Sequence, residues 1–246
     1  MAIYTGTYKI ADIVFEIRSI HETVHTYCKL YRWDGEAEFV ITTSQEDIAF
    51  EDQKSAQDDI SEGREVVKHH PAYLEILSVY RKLAVEMIRR NTILFHGSAI
   101  AVDGQAVLFT AKSGTGKSTH TALWRERFGD RAVMVNDDKP LLRIKDDGVM
   151  VCGTPWNGKH RISTNCIVPL KAICILERGE ENEICPVSPK EALPMVLQQT
   201  HRPNAQELLA QYMKMVNLLV GKVPCYRLKC NMDPEAAKVA YEGMLG

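Results

Sequence analysis

Ala111-Lys112-Ser113-Gly114-Thr115-Gly116-Lys117-Ser118 is the stretch on which the reading of this chain turns. The apolar run Gln105-Ala106-Val107-Leu108-Phe109-Thr110 enters it and a helical-looking segment, residues 119–128, leaves it, so the region reads strand, tight loop, helix. A loop that cradles phosphate needs glycines so that consecutive backbone N–H groups can face the anion. It also needs a lysine to reach the β/γ oxygens and a hydroxyl for Mg²⁺. Gly114, Gly116, Lys117 and Ser118 supply those parts, and Ser113, Thr115 and Thr119 complete the run expected to touch a nucleotide such as ATP. Ala111 stands where the pattern usually has its first glycine; alanine is excluded there only if the backbone must take a positive φ.

The rest of the composition sets bounds. A chain of 246 residues, 45% hydrophobic and 25% charged, has the makeup of an ordinary globular protein with one large core, or one core and a satellite. The net charge of -2 and the lack of a polybasic cluster point away from nucleic acid and from anionic membranes. Seven cysteines, odd in number and without a Cys-x-x-Cys pair, argue against a zinc ribbon or a disulfide framework. Residues 1–20 are broken by Lys9, Asp12, Glu16 and Arg18, so neither a signal peptide nor an anchor is expected, and a reducing cytoplasm fits best.

Upstream of the loop, residues 4–16 alternate apolar and polar side chains as a half-buried strand or hairpin does. Ser19-Ile20-His21-Glu22 has the form of a capping box before a short helix, and Phe39-Val40-Ile41 reads as a strand. Residues 44–63 read as a surface helix and loop. His21 and His25 have a spacing that can place two metal ligands on one helix face, but no third ligand accompanies them. From Pro71 the apolar period becomes helical through Leu74, Leu77, Tyr80, Ala84, Met87 and Ile88. The boundary expected from this change divides a β-rich accessory region, residues 1–70, from a nucleotide-binding domain, residues 71–246.

Residues 92–102, a turn at Asp103-Gly104 and residues 105–110 read as an antiparallel hairpin leading into the loop, with His96 on its first arm. Downstream, Ala132-Val133-Met134-Val135 is a buried strand ending at Asn136-Asp137-Asp138, where a metal-binding carboxylate belongs beside a phosphate loop. If both acids close on Ser118, Asp138 with Ser118 can hold Mg²⁺ while Asp137 takes a proton from an acceptor hydroxyl. Adjacent residues on a straight strand face opposite ways, so this demands a bend at the strand end. His96 could then reach the γ-phosphate or orient Asp137, and Lys159 and Arg161 are candidates for neutralising charge on the transferred group. Two strands flank Asp146-Asp147-Gly148, another covers residues 170–176, and Pro186 is expected to open a helix-rich end. In that end Ser188 and Asn204 cap helices and Gly221 stops the second.

Phe95-His96-Gly97, then a hairpin, then Ser113-Gly114-Thr115-Gly116-Lys117-Ser118, then Asn136-Asp137-Asp138 resembles the catalytic domain of HPr kinase/phosphorylase over about residues 92–180. The loop wording is also similar to that of ATP-dependent phosphoenolpyruvate carboxykinase, which shares the domain's fold. The resemblance implies a mixed α/β domain of the phosphoenolpyruvate carboxykinase/HPr kinase-like P-loop type. It implies that Lys117 and Ser118 handle phosphate and Mg²⁺, that His96 assists, and that Asp137 is the base with Asp138 near the metal. Thr119 stands where HPr kinase has an acid, and Gly153-Thr154-Pro155-Trp156 stands in place of its Glu-Ile-Arg-Gly signature. The acceptor is therefore expected to be some other small protein or peptide carrying serine or threonine, with ATP and Mg²⁺ as cofactors. A small-molecule hydroxyl kinase and a non-catalytic ATP-binding regulatory module are the alternatives, and a homo-oligomer is compatible with the sequence without being read from it.

Overall fold

The structure, a computed structural model, describes residues 3–112 and 114–246; Ser113 lies outside the described residues. By its internal contacts the chain divides into two compact units, Met1–Glu86 and Met87–Gly246.

In the first unit, β1 (Tyr4–Ile10) and β2 (Ile13–Ser19) pair antiparallel around Ala11 and Asp12, whose φ angles of 55° and 58° suit the tight turn of a right-twisted hairpin. Tyr8, Ile10, Ile13, Phe15 and Ile17 are buried, as the alternation requires. A five-residue helix α1 (Thr23–Tyr27) leads to β3 (Phe39–Thr42), which joins β2 in parallel. Helix α2 (Gln45–Ser61) begins in a capping box made by Ser44 and Asp47. The box expected at Ser19 does not form, and the reason is Glu75 on α3 (Pro71–Ile88). Its buried carboxylate accepts from the backbone N–H groups of Ile20 (2.6 Å) and His21 (2.9 Å), from His21 Nδ1 (2.6 Å) and from the Thr43 hydroxyl. The Ser19 hydroxyl donates instead to the His21 carbonyl and lies 3.0 Å from His25 Nε2. His25 is buried between Ser19 and Tyr8, and no metal-holding group of His, Cys, Asp or Glu occurs among the described residues.

Helix α3 was expected to open the second domain. Its Arg81 binds Glu51 and Asp47, and its Lys82 binds Asp47 and the Thr42 carbonyl. Residues 71–86 accordingly belong to the first unit, and the division falls inside the helix.

The second unit is built on a curled mixed sheet. It contains β4 (Thr92–Leu94), β5 (Ser98–Val102), β6 (Gln105–Thr110), β7 (Ala132–Asn136), β8 (Leu141–Lys145), β9 (Gly148–Cys152), β10 (Ile167–Arg178), β11 (Glu183–Val187) and β12 (Cys225–Cys230), with α4 (Lys117–Phe128) following β6. The long strand β10 joins its parts. Residues 167–169 pair antiparallel with β9, and beyond an irregularity at Leu170/Ala172 the strand runs parallel to β6 on one edge and β12 on the other. The hairpin β5–β6 forms as expected around Asp103-Gly104, but residues 92–102 are not one arm: β4 pairs with β8, β5 with β6 and β7, and His96 falls in the break between them.

Helices α5 (Pro189–Gln199), α6 (Gln206–Lys222) and α7 (Glu235–Met244) complete the unit. Ser188 caps α5 as expected, whereas the N-cap of α6 is Ala205, which offers no side-chain cap, and the helix runs past Gly221 to Lys222. Pro186, expected to open a helix, sits in β11, whose partner among the described residues is β12 alone; proline is tolerated on such an edge because no partner needs its N–H. Trp124 and Phe109 centre the core that α4 and α7 form with one face of the sheet. No helix among the described residues is long and apolar enough to cross a membrane.

Candidate functional site

Strand β6 ends at Thr110 and α4 starts at Lys117, so the glycine-bearing loop lies between a central strand and a helix N-terminus. Gly116 is the N-cap of α4 with φ 119°, Gly114 has φ 76°, and a Cβ added at either would meet nothing within 4 Å. Glycine is needed there for backbone conformation, which L-residues adopt at a cost, and not for space. Ala111 is buried and is not among the residues of positive φ, so alanine satisfies that position as expected. The first-turn N–H groups of α4 and its dipole favour an anion at this end.

A cleft of about 470 Å³ opens over the loop, lined by Gly114, Gly116, Lys117, Ser118 and Thr119 on one side. His96, Asp137, Asp138, Gly158 and Lys159 contribute the remainder. Burial lowers the pKa of the Lys117 ammonium, with the nearby Asp138 charge acting the other way. Its Nζ lies 3.4 Å from the Ala111 carbonyl. Of the other residues expected at the site, Thr115 turns its hydroxyl back to the Lys112 carbonyl (2.8 Å), and Arg161 is exposed and does not line the cleft.

The bend that two adjacent acids require is made by Asn136. Its Oδ1 accepts from the backbone N–H groups of Asp138 (2.8 Å) and Lys139 (2.6 Å), the side-chain-to-backbone turn for which asparagine is suited. Its Nδ2 donates across to the carbonyls of Thr154 (3.0 Å) and Trp156 (3.2 Å). The following segment wraps the turn: Asp137 N–H donates to the Ile162 carbonyl, and Gly158 N–H to Asp137 Oδ1 at 2.7 Å. Asp137 is 7% exposed and its Oδ2 is buried with no partner.

His96 pairs with Asp138, not Asp137: its Nε2 lies 3.1 Å from Asp138 Oδ1. Backbone bonds from His96 N–H to the Gln199 carbonyl (2.7 Å) and from Gly97 N–H to the Asp138 carbonyl (2.9 Å) fix the break between β4 and β5 against the acidic turn. Burial pushes the Asp138 pKa up, but the His96 hydrogen bond and the Lys139 and His96 charges outweigh it and leave the carboxyl below its ordinary value. The sequence reading missed Asn136 as the centre of this turn and Gly158 as the partner of Asp137. An asparagine directly before two acids at a strand end was the available signal for the first; nothing local marked the second.

Fold and site together define a mixed α/β protein whose glycine-rich helix N-terminus faces a clamped acidic pair. A family model described as ScmC, SynChlorMet cassette protein ScmC, matches residues 60–235, and the chain belongs to that family. It is a different family from the HPr kinase/phosphorylase suggested by the motifs. No curated protein matches the chain. Among solved structures, the HPr(Ser) kinase/phosphatase from Coxiella burnetii is similar over 61% of this chain and 95% of its own, at 12% identity and a TM-score of 0.37, too slight a likeness to carry fold or activity.

Proposed function

We propose that the chain is a phosphotransferase of the P-loop type seen in HPr kinase, moving the γ-phosphoryl group of ATP to a serine or threonine hydroxyl of a small protein or peptide with the help of Mg²⁺. The observation that carries this reading is the partnerless, buried Oδ2 of Asp137 in a cleft floored by the glycine loop. A buried carboxylate oxygen without a donor is costly, and a proton arriving from a substrate hydroxyl relieves that cost. A phosphate group suits the same cleft because Gly114 and Gly116 leave backbone N–H groups uncovered by any Cβ and Lys117 adds a half-desolvated cation.

Ser118 and Asp138, which line the same cleft, would hold Mg²⁺, and the ion would neutralise charge on the phosphate oxygens. His96, which lines the same cleft, keeps Asp138 oriented through its Nε2 contact. Asp137 Oδ2 accepts the acceptor's hydroxyl proton as the hydroxyl oxygen bonds to the γ-phosphorus; the β–γ bridging oxygen leaves with ADP, and no other bond changes. Lys159, which lines the same cleft, offers positive charge to the transferred group, while Arg161 needs a movement of its segment to do so.

The family description names a cassette, so polypeptides encoded beside this chain are the first acceptors to try. Incubation with γ-labelled ATP, Mg²⁺ and those polypeptides should move label to a serine or threonine. The reading fails if ATP is bound and none of them, nor any lysate fraction, is labelled.

A further inference from the structure

A second cleft, of about 480 Å³, shares Gly114, Gly116 and Thr119 with the acidic one, so the loop is a wall common to both. Its chemistry is different. Leu123, Leu176, Cys230 and Met232 line it, and it contains none of the carboxylates or lysines of its neighbour. Met232, which also lines it, is 79% exposed, so its flexible thioether side chain is available to pack against a ligand.

Two polar groups at this cleft point to the kind of occupant. Arg178 donates from Nη2 to the Gly114 carbonyl at 2.8 Å, which fixes a planar guanidinium at the rim, a group that stacks well on heteroaromatic rings. His120 lines the cleft and is 3% exposed. Trp124 Nε1 can only donate, and it lies 3.1 Å from His120 Nε2, so Nε2 accepts and the imidazole proton resides on Nδ1. That Nδ1 is buried and has no partner. A donor left without an acceptor calls for a ligand carrying one.

Resting on the nucleotide reading above, we propose that this cleft is the nucleoside subsite. The base of a purine nucleotide lies among Leu123, Leu176 and Met232 within reach of Arg178 and the His120 donor, and the phosphates cross the shared loop toward Lys117 and the acidic pair. Apolar burial of the ring supplies affinity, and ring nitrogens supply the acceptor that His120 lacks. The nucleotide thus straddles the loop, with base and phosphates recognised by separate sets of residues.

Calorimetric titration of the wild type and of Leu123→Trp with Mg²⁺-ATP and with inorganic tripolyphosphate tests this. The indole should fill the apolar cleft, lowering ATP affinity about ten-fold or more while tripolyphosphate affinity stays within about two-fold. A wild type that binds neither ligand overturns the nucleotide reading and this proposal with it. A wild type that binds both, with a folded variant losing both equally or neither, overturns the subsite alone. If the variant does not fold, alkylation of wild-type Cys230, followed by peptide mass spectrometry, decides. Saturating ATP should slow it and tripolyphosphate should not, with the exposed Cys185 as internal control. Unchanged alkylation of Cys230 under saturating ATP overturns the proposal.

Discussion

Asp137 is held by one oxygen only: Oδ1 accepts the Gly158 N–H at 2.7 Å, and Oδ2 is buried without a partner. The Gly158 bond fixes the carboxylate's rotamer, so the second oxygen has a defined direction and an unmet hydrogen-bonding capacity. Asp137→Asn keeps the shape and removes the ability to take a proton. Transfer of label from ATP should fall by about 10²–10⁴-fold while ATP affinity changes only a few-fold. Single-turnover rates beside equilibrium titration separate the two, and an undiminished rate removes Asp137 from its role as base.

Asn136→Ala should harm both fold and turnover. The substitution deletes the acceptor that the Asp138 and Lys139 N–H groups use and the donor that ties the turn to Thr154 and Trp156. Leaving several buried backbone groups without partners costs roughly 2–4 kcal/mol in unfolding free energy. Because the asparagine touches the acidic turn and not the loop, kcat should drop more than KM for ATP rises. Urea unfolding and steady-state kinetics on the same preparation check both halves.

Much of this arrangement can be read from residue types alone, and the parts that cannot share a cause. The loop, the β5–β6 hairpin and the strand ending at Asn136 are local features, carried by Asp103-Gly104, Gly114, Gly116 and a run of apolar residues. His96 was assigned to a strand because nothing in Phe95-His96-Gly97 announces that the chain leaves β8 for β6 there; the break exists because of partners far along the chain, Asp138, Pro140 and Gln199. Strand β12, Cys225-Tyr226-Arg227-Leu228-Lys229-Cys230, was missed for a similar reason. Two cations weaken its alternation, and it becomes a strand by lying parallel to β10. The failed capping box at Ser19 belongs with these, since Glu75 takes the N–H groups before any local cap can form.

Gly153→Ala should be among the most damaging single changes in the second unit. A Cβ at this position would lie 1.9 Å from the Thr164 carbonyl oxygen, and backbone bonds hold both sides: Gly153 N–H donates to the Cys166 carbonyl and Thr164 N–H to the Val135 carbonyl. Backbone atoms cannot step aside as a flexible side chain can. The segment that delivers Gly158 and Lys159 to the cleft must therefore move, or the unit must open. A loss of several kcal/mol is expected, within the range reserved for such clashes. A midpoint of urea unfolding equal to that of the wild type would show the approach of these two segments to be looser than this.

His120 makes stability depend on pH in a direction that can be worked out. Burial pushes its pKa down from 6.5 to about 4 in the folded chain, and the Trp124 indole occupies Nε2 as a donor, which suits only the neutral ring. Between those two values the unfolded chain binds a proton that the folded chain does not, so stability rises with pH across the window. The contribution is complete above about pH 6.5 and is lost as pH falls toward 4, amounting to roughly 3 kcal/mol in all. His25, buried beside Tyr8 and also lowered by burial, acts in the same sense, so the wild-type slope alone does not isolate His120. His120→Gln does: its amide oxygen offers the indole N–H an acceptor at a similar reach and carries no titrating proton. Unfolding free energies of the two proteins measured from pH 7.5 to 4.5 should converge as the pH falls, and parallel curves would show that His120 binds its proton equally well in the folded and unfolded chain.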